Sequence, residues 1–328
     1  MASVPKFNSQ STASEVAAAF SDSIKGRNIL ITGVGPGGLS QTLVQTLADH
    51  APATLYLAGR SPAKVNAIAS SLQATHPAIQ TRTIQVDLAS FASIRAAAAQ
   101  VTAPLHLLIN NAGVMNVPTR TLSADGYEMH LAVNYLGLFL LTNLLVPRLA
   151  LGARVMNVAS SAHTISPFRF DDYNFDDDGK GELLLPEEQR PIKAALDGFG
   201  LPYGLGYVPP VAYGASKTAV VLYTGELARR LKGRGVSVTC VNPGPIATEL
   251  WREMPEDVRQ QVFANLPMRS KEQGVADYLV AALHLGLSDG AYVENCEETD
   301  VAPFAKDGKQ AQRLWELSEE LVREKFAF

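Results

Sequence analysis

The sequence predicts an α/β protein in which helices cover both faces of a parallel β-sheet. Short apolar runs rich in β-branched residues alternate with Ala- and Leu-rich segments of helical period. The runs are almost continuously apolar, as is typical of strands that are buried on both faces. The 328 residues contain no Pro-, Ser- or Gly-rich linker and no repeat of solenoid period. We therefore expect one doubly wound domain over residues 1–328.

The elements follow in a regular order along the chain. Thr12 and Glu15 have the spacing of a capping box, so a helix is expected in an N-terminal arm over 1–26. Seven strands are predicted, at 28–32, 54–58, 79–86, 104–109, 153–158, 236–241 and 291–293. Helices are predicted at 39–49, 61–74 and 90–102, from Tyr213 onward, and near the C-terminus within 300–328.

The segment 161–212 interrupts this order. It has no predicted strand and only weak helical period, but many prolines, glycines and aromatic residues. A connection longer than about 15 residues in a compact domain is usually a lid or a binding loop. We expect a lid on the substrate side, whose aromatic side chains either cover an apolar ligand or pack on the adjacent helices. These side chains are Phe168, Phe170, Tyr173, Phe175, Phe199, Tyr203 and Tyr207.

The composition excludes several classes of protein. Hydrophobic residues make up 47% of the chain and charged residues 18%, which is typical of globular rather than disordered proteins. A net charge of −4 without a block of Lys or Arg argues against nucleic acid as a partner. The longest apolar stretch, 136–146, is shorter than the roughly 20 residues of a membrane span, so no transmembrane span is expected. With two isolated cysteines and no signal-sequence pattern, we expect a cytoplasmic protein.

A glycine-rich loop, TGVGPGG over 32–38, follows the first predicted strand and precedes a predicted helix. Glycines allow a tight turn and let backbone N–H groups approach a pyrophosphate at the helix N-terminus. The alternative is a strand-to-helix turn that binds nothing. The place after the first strand of an α/β chain favours a Rossmann-type dinucleotide site, whose residues would be Thr32, Gly33, Gly35, Gly37 and Gly38.

The end of the second predicted strand indicates which dinucleotide is bound. A site selective for NAD usually places a carboxylate here for the ribose hydroxyls, whereas an arginine suits a 2′-phosphate. Arg60 stands at this position, and Lys64 follows one helical turn later. We therefore expect NADP(H) in preference to NAD(H). The alternative is that Arg60 is a solvated residue beside the start of a helix.

Tyr213 and Lys217 are four positions apart in a predicted helix, so the phenol and the ammonium lie on one helical face. A tyrosine with a pKa near 10 is a weak acid–base catalyst at neutral pH. A nearby cation favours the phenolate and lowers that pKa. The spacing is common in helices, and its significance comes from the dinucleotide site that precedes it.

These motifs together resemble the short-chain dehydrogenase/reductase family, and the long 161–212 segment resembles its retinol-dehydrogenase-like branch with fungal relatives. Thr32, Gly33 and Gly37 match the TGxxxGxG loop of the family, whereas Leu39 stands in place of its last glycine and Ser40 follows. Motifs that follow along the chain match the adenosine-binding and carboxamide-binding segments of the family, in the order in which the family has them. The cofactor residues that the resemblance adds are Asp87, Leu88, Asn111, Ala112, Gly113, Pro243, Gly244 and Thr248, besides Tyr213 and Lys217.

The resemblance also implies a catalytic set of Asn134, Ser160, Tyr213 and Lys217. Ser160 would donate a hydrogen bond to the substrate oxygen, with Ser161 as the alternative, and Tyr213 would give or take the proton. Lys217 would bind the nicotinamide ribose and lower the pKa of the phenol. Asn134 would hold a water molecule in a proton relay.

The function expected from these residues is NADP(H)-dependent hydride transfer between nicotinamide and a carbonyl or secondary alcohol of a lipophilic small molecule, with ketone reduction as its direction. Two alternatives remain open. The fold could support a non-redox reaction such as dehydration, isomerisation or cyclisation, or it could be a nucleotide-sensing binding module. A homodimer is compatible with the resemblance, because the helix after Tyr213 is a usual pairing surface in the family.

Overall fold

The computed structural model describes residues 6–176, 185–198, 200–203 and 206–328. Eight strands form one sheet and are numbered in chain order. They are β1 Asn28–Thr32, β2 Thr54–Gly59, β3 Gln80–Gln85, β4 Leu105–Asn110, β5 Leu149–Val158, β6 Ser237–Asn242, β7 Tyr292–Glu294 and β8 Glu297–Thr299. The strand order is β3-β2-β1-β4-β5-β6-β7-β8, and β8 alone runs antiparallel to its neighbour. This is the Rossmann-type doubly wound sheet that the sequence predicts.

The order of the strands fixes where a ligand can bind. The chain moves outward from β1 through β2 to β3, then returns to place β4 on the other side of β1. In open α/β sheets, ligands bind beyond the carboxyl ends of the strands at such a reversal. The glycine-rich loop follows β1 and Asn111 follows β4, so both lie at this reversal.

All seven predicted strands are confirmed, with small differences at their ends. β5 begins four residues before the predicted start because 149–152 also pair along the sheet. The sequence does not predict β8, since its residues Glu-Glu-Thr are polar and exposed. The turn before β8 depends on Asn295 and Cys296, which have φ values of 54° and 63°. Such left-handed pairs are typical of two-residue hairpins.

Helices cover both faces of the sheet. The first five along the chain are α1 Ala13–Ala19, α2 Ser21–Ile24, α3 Leu39–Ala48, α4 Pro62–Thr75 and α5 Phe91–Ala99. After them come α6 Gly137–Leu145, α7 Lys193–Gly198, α8 Pro209–Leu231, α9 Glu256–Asn265, α10 Lys271–Leu283 and α11 Gly308–Val322. The capping box at Thr12 and Glu15 is present. Helix α8 begins at Pro209, one turn before the predicted start, because a proline needs no N–H partner in a first helical turn.

Alternate residues of the strands point into two separate cores. Leu30, Leu108 and Val155 face α6, α8 and α11 in the larger core. Ile31 and Ile109 face the other side, where α3 and α10 pack. Helix α8 runs through the larger core, and Val211 to Leu231 include eighteen buried residues. The strands β1, β2, β4 and β6 are therefore covered on both faces, which explains their nearly continuous apolar sequences, whereas the edge strands β3 and β8 are largely exposed.

The aromatic residues of the 161–212 segment pack on the protein itself where the structure describes them. Phe168 and Phe170 belong to the larger core, and the guanidinium of Arg313 from α11 lies 4.2 Å from the Phe170 ring. Phe175 and Tyr207 belong to a small third core against α8. Phe199 lies outside the described residues. The lid remains a prediction.

Helix α11 covers the side of α8 that faces away from the sheet. The Trp315 ring stacks on Tyr223 at 5.9 Å, and the Arg230 guanidinium lies 4.0 Å from the Trp315 ring. The hydroxyls of Tyr135 and Ser318 are 2.6 Å apart and tie α11 to the helix that carries Asn134. This side of α8 is thus covered by another helix of the same chain.

One helical stretch, Leu131–Arg148, is long and apolar enough to cross a membrane by length and composition. Within the protein, 78% of it is buried. Its apolar side chains form part of the larger core, as expected for a central helix of a globular domain.

Gly137 shows how closely this helix approaches the sheet. A Cβ atom at this position would lie 2.5 Å from the carbonyl oxygen of Leu88 and 2.8 Å from its Cβ. We expect Gly137→Ala to lower the free energy of unfolding by about 1–3 kcal/mol through overpacking. The measurement is urea denaturation of the full chain.

The matched control is Gly225→Ala in α8, where a Cβ would meet nothing within 4 Å. This variant should be neutral or more stable by up to about 1 kcal/mol, since alanine favours a helix over glycine. Equal effects of the two substitutions would contradict the close approach at Gly137.

Candidate active site

The glycine-rich loop is shaped by two glycines and one serine. Gly33 and Gly37 have φ values of 73° and 78°, which favour glycine. A Cβ on Gly33 would lie 2.7 Å from the Cα of Ala112, so the loops after β1 and β4 could not meet. The Ser40 hydroxyl is buried, donates to the Gly33 carbonyl at 3.0 Å and accepts from the Gly35 N–H at 3.4 Å. Ser40 therefore braces the loop in a chain that lacks the family's last glycine.

The loop has the space and the polarity to hold a pyrophosphate. A Cβ on Gly35, Gly37 or Gly38 would meet nothing closer than 3.7 Å, so the backbone is open to an approaching group. Gly38 precedes α3 as its N-cap and provides no side-chain cap for the helix N–H groups. Uncapped N–H groups at a helix N-terminus attract anions. These residues fit a dinucleotide.

Arg60 and Lys64 lie beside this loop and are exposed. Arg60 follows directly after β2. The Lys64 side chain passes 3.8 Å from the place of a Cβ on Gly35. Within the described residues neither side chain has an ion-pair partner, so both cations are available to a phosphate group of a bound dinucleotide.

Thr32 and Asn111 use their side chains to build the site. The buried Thr32 hydroxyl accepts hydrogen bonds from the N–H groups of Asn111 and Ala112 at 3.0 and 3.1 Å. The Asn111 amide donates to the Thr32 carbonyl at 2.8 Å and accepts from the Tyr278 hydroxyl at 3.1 Å. Both side chains are engaged within the protein, so they position the backbone that faces a cofactor.

The remaining predicted cofactor residues also lie after the carboxyl ends of strands. Asp87 follows β3 and its carboxylate accepts from the Ala89 N–H at 3.0 Å, while Leu88 is buried against the Gly137 helix. Pro243 and Gly244 follow β6, and Thr248 caps a short turn by accepting from the Leu250 N–H at 3.3 Å.

The sequence analysis missed Arg269, which holds this last loop. Its guanidinium donates to the Pro243 carbonyl at 3.0 Å, pairs with the buried Asp277, and fills the space beside Gly244. Arg269 lies 26 positions after Pro243 and belongs to no recognisable motif, so no local pattern indicates the contact.

The structure brings the four predicted catalytic residues together. Tyr213 is 7% exposed, and its phenol is close enough to the Ser160 side chain for the two to interact. The Lys217 ammonium lies 5.6 Å from the centre of the Tyr213 ring and donates to the Val158 carbonyl at 2.7 Å. Asn134 contacts the same helix, because its amide nitrogen lies 3.0 Å from the Ser216 hydroxyl.

Close packing of α8 against the segment after β5 sets this geometry. A Cβ on Gly214 would lie 2.8 Å from the Ala162 carbonyl oxygen, so only glycine permits the approach. The Thr218 hydroxyl lies 3.0 Å from the His163 carbonyl and 2.7 Å from the Ser166 carbonyl. Gly214 and Thr218 were not predicted, although they flank Tyr213 and Lys217 in the sequence.

Asn134 is fully engaged with protein partners. Its amide oxygen accepts from the Val114 N–H at 2.8 Å, and its amide nitrogen donates to the Val114 carbonyl and to Ser216, both at 3.0 Å. The residue lies in a π-helical turn, Leu131–Leu136, a conformation that is frequent at functional sites. These bonds make Asn134 a brace for the loop after Gly113. Its expected role in holding a water molecule for a proton relay stays a prediction.

Burial sets the acid–base properties of the site. It raises the pKa of Tyr213 to about 12, with the Ser160 hydrogen bond opposing the shift. It lowers the pKa of Lys217 to about 8. The sequence predicts the opposite direction for Tyr213. The difference arises because removing a phenolate from water costs more than the hydrogen bond returns, and because Lys217 is turned toward Val158. Tyr213 therefore holds its proton at neutral pH.

His163 supports Ser160 from behind. Its Nδ1 lies 2.8 Å from the Ser160 carbonyl oxygen, and its Nε2 accepts from the Ala302 N–H at 3.2 Å. Burial lowers the pKa of this imidazole. A neutral ring with a hydrogen on Nδ1 satisfies both partners, so His163 connects the C-terminal segment to the catalytic serine.

Comparison with known proteins identifies the family of this chain. The model of the short chain dehydrogenase family matches residues 27–174 and 204–259. The oxidoreductase fscI of Fusarium equiseti is 42% identical over 73% of this chain and 94% of its own length. Retinol dehydrogenase 12 of Bos taurus is 37% identical over 90% of this chain and 86% of its own length.

Solved structures show the same fold. An uncharacterised protein from Mycobacterium paratuberculosis superposes with a TM-score of 0.68 at 29% identity, covering 93% of this chain and 96% of that one. A short chain dehydrogenase from Burkholderia cenocepacia in complex with NADP has a TM-score of 0.58 at 21% identity, with coverage of 82% and 96%. With its sheet, its glycine loop and these relatives, the chain belongs to the short-chain dehydrogenase/reductase family, as an oxidoreductase of CH–OH groups.

Proposed function

We propose that the protein uses NADP(H) to reduce a carbonyl group of a lipophilic small molecule to an alcohol. The observation that carries this proposal is the buried Tyr213, with the Lys217 ammonium 5.6 Å from the centre of its ring. A protonated phenol is a general acid, and reduction of a carbonyl needs an acid to protonate the oxygen. The names of the relatives, retinol dehydrogenases among them, support a lipophilic substrate.

Each catalytic residue has a distinct part in this proposal. The nicotinamide, when bound, supplies the hydride for the carbonyl carbon. Ser160 donates a hydrogen bond to the carbonyl oxygen and Tyr213 delivers the proton to it. Lys217 binds the ribose and keeps a positive charge near the phenol. Asn134 acts through the loop after Gly113, because its amide is bound to Val114.

The choice of NADP(H) rests on Arg60 and Lys64 beside the glycine loop, and on the end of β2, where the sequence has no acidic residue. The Burkholderia relative was solved with NADP, which supports the same cofactor for this fold. A cytoplasmic location belongs to the proposal as well. Cys240 and Cys296 are buried free thiols, and this suits a reducing compartment.

Tyr213→Phe tests the proton donor. The substitution removes one hydroxyl and keeps the buried ring, so NADPH affinity should change by less than about twofold while kcat falls by about a thousandfold. The measurement is NADPH absorbance with a panel of lipophilic ketones, alongside NADPH binding by fluorescence. Retention of most of the turnover would remove Tyr213 from the mechanism. Tight NADPH binding by the wild-type chain with no ketone turned over would favour a non-redox or sensing role.

Arg60→Ala tests the cofactor choice. Loss of a charge-assisted hydrogen bond to the 2′-phosphate should weaken NADPH binding by about 10- to 100-fold and leave NADH binding within about threefold. Fluorescence titration with both cofactors gives the two dissociation constants. The control is Arg234→Ala, an exposed arginine at the end of α8. A parallel loss of affinity for both cofactors in Arg60→Ala would contradict the assignment.

The pKa of about 8 for Lys217 predicts a pH dependence. The ammonium is charged below this value and loses its proton above it, whereas Tyr213 stays protonated to about pH 12. We expect kcat/KM for reduction to be constant near neutrality and to fall about tenfold per pH unit above about pH 8. The measurement is the pH profile of kcat/KM, with intrinsic fluorescence at each pH as a control for folding. A flat profile to pH 10 would show that the charge of Lys217 is dispensable.

A further inference from the structure

Glu128, His130 and Tyr207 form a buried cluster next to the catalytic residues, and the mechanism above does not use them. Glu128 and His130 are fully buried. One carboxylate oxygen of Glu128 lies 2.8 Å from His130 Nδ1, and the other accepts from the Leu131 N–H at 2.9 Å. A buried carboxylate is costly unless it is paired, so these contacts make the cluster a defined structural unit.

The partners of His130 determine where its hydrogen lies. Nε2 lies 3.3 Å from the backbone nitrogen of Val117, which can only donate. Nε2 therefore accepts, and Nδ1 carries the hydrogen that is donated to Glu128. Both ring nitrogens of a neutral imidazole are thus in use.

Tyr207 completes the cluster from the 161–212 segment. Its hydroxyl donates to the Val117 carbonyl at 2.9 Å and lies 3.3 Å from both the Glu128 carboxylate and His130 Nδ1. Burial and the adjacent Glu128 carboxylate raise the pKa of this phenol, so it remains a donor. The cluster consequently holds both backbone polar groups of Val117.

Asn134 holds the other end of the same short segment. Both backbone polar groups of Val114 bond to the Asn134 amide, as both groups of Val117 bond to the cluster. Between them, Asn116 has a φ of 55°, a left-handed conformation that needs support in a residue other than glycine. His130 and Asn134 are four residues apart on one helical stretch, so side chains of this one stretch bond to both ends of the segment 114–117.

The cluster also contacts the catalytic tyrosine. The His130 ring packs edge-on against the Tyr213 ring, with centroids 6.0 Å apart, and stacks on Tyr207 at 6.4 Å. A change in the cluster is therefore transmitted to one face of Tyr213 and to the segment that Asn134 holds.

From these contacts we infer that Glu128, His130 and Tyr207 are positioning residues that hold segment 114–117 and the Tyr213 ring in their catalytic arrangement. Through Tyr207, the residues directly before α8 are coupled to the assembly of the active site. This inference rests on the proposed function for its effect on catalysis, but the holding of Val117 does not depend on it.

Tyr207→Phe removes the hydroxyl and keeps the ring contacts. We expect kcat for a ketone that the wild-type chain reduces to fall about tenfold, as for the loss of one buried hydrogen bond, with NADPH affinity unchanged. The solvent deuterium isotope effect on kcat should rise, because a misplaced Tyr213 slows proton transfer. Partial unfolding would lower kcat without changing this isotope effect. The matched control is Tyr203→Phe, which lies in the same small core and makes no hydroxyl hydrogen bond within the described part of the chain.

Hydrogen–deuterium exchange of peptides that cover 114–117 tests the inference without turnover. Exchange should accelerate about tenfold in Tyr207→Phe and remain at the wild-type rate in Tyr203→Phe. If Tyr213→Phe kept its activity, the proposed function would fail, and faster exchange in Tyr207→Phe would still support the holding of Val117. Unchanged exchange, or an unchanged isotope effect with unchanged kcat, would overturn the positioning role.

Discussion

The approach of helix α8 to the segment after β5 is the contact on which the site depends. Gly214 allows it, since any Cβ there would overlap the Ala162 carbonyl. Once the helix lies at this distance, Lys217 reaches Val158 and Thr218 reaches His163 and Ser166. Tyr213 is then placed beside Ser160 without any further adjustment. Fixed geometry of this kind is what removes the entropic cost of orienting an acid and a substrate.

The same packing explains the electrostatics of the site. A helix buried along most of its length carries its tyrosine and lysine into a region with little water. Low polarity favours the neutral form of both groups. The phenol therefore retains its proton, and the ammonium gives up its proton at a lower pH than it would in water. A phenol with a raised pKa is a weaker acid, but it can still protonate the more basic alkoxide that forms when a hydride adds to a carbonyl. Burial and not a neighbouring charge is therefore the main influence on these two residues.

Local patterns in the sequence predicted seven of the eight strands and the residues that the structure brings close to Tyr213. The apolar runs predicted seven strands, and the order of glycine, asparagine, serine and tyrosine motifs placed Ser160, Tyr213 and Lys217 together. Contacts between distant segments could not be predicted in this way. The Arg269 contact with Pro243 and the Tyr207 contact with Val117 join positions that share no spacing rule. The direction of the Tyr213 pKa also needed the packing, because burial has no signature at a single residue.

Helix α11 lies on α8 through Trp315 and Arg230, and both helices belong to one polypeptide. A surface that is covered by a second copy becomes uncovered on dilution, since association follows mass action. When a segment of the same chain covers a surface, the effective concentration of that segment is set by the residues that connect it to the surface. The outer side of the catalytic helix therefore stays shielded however little of the protein a cell makes.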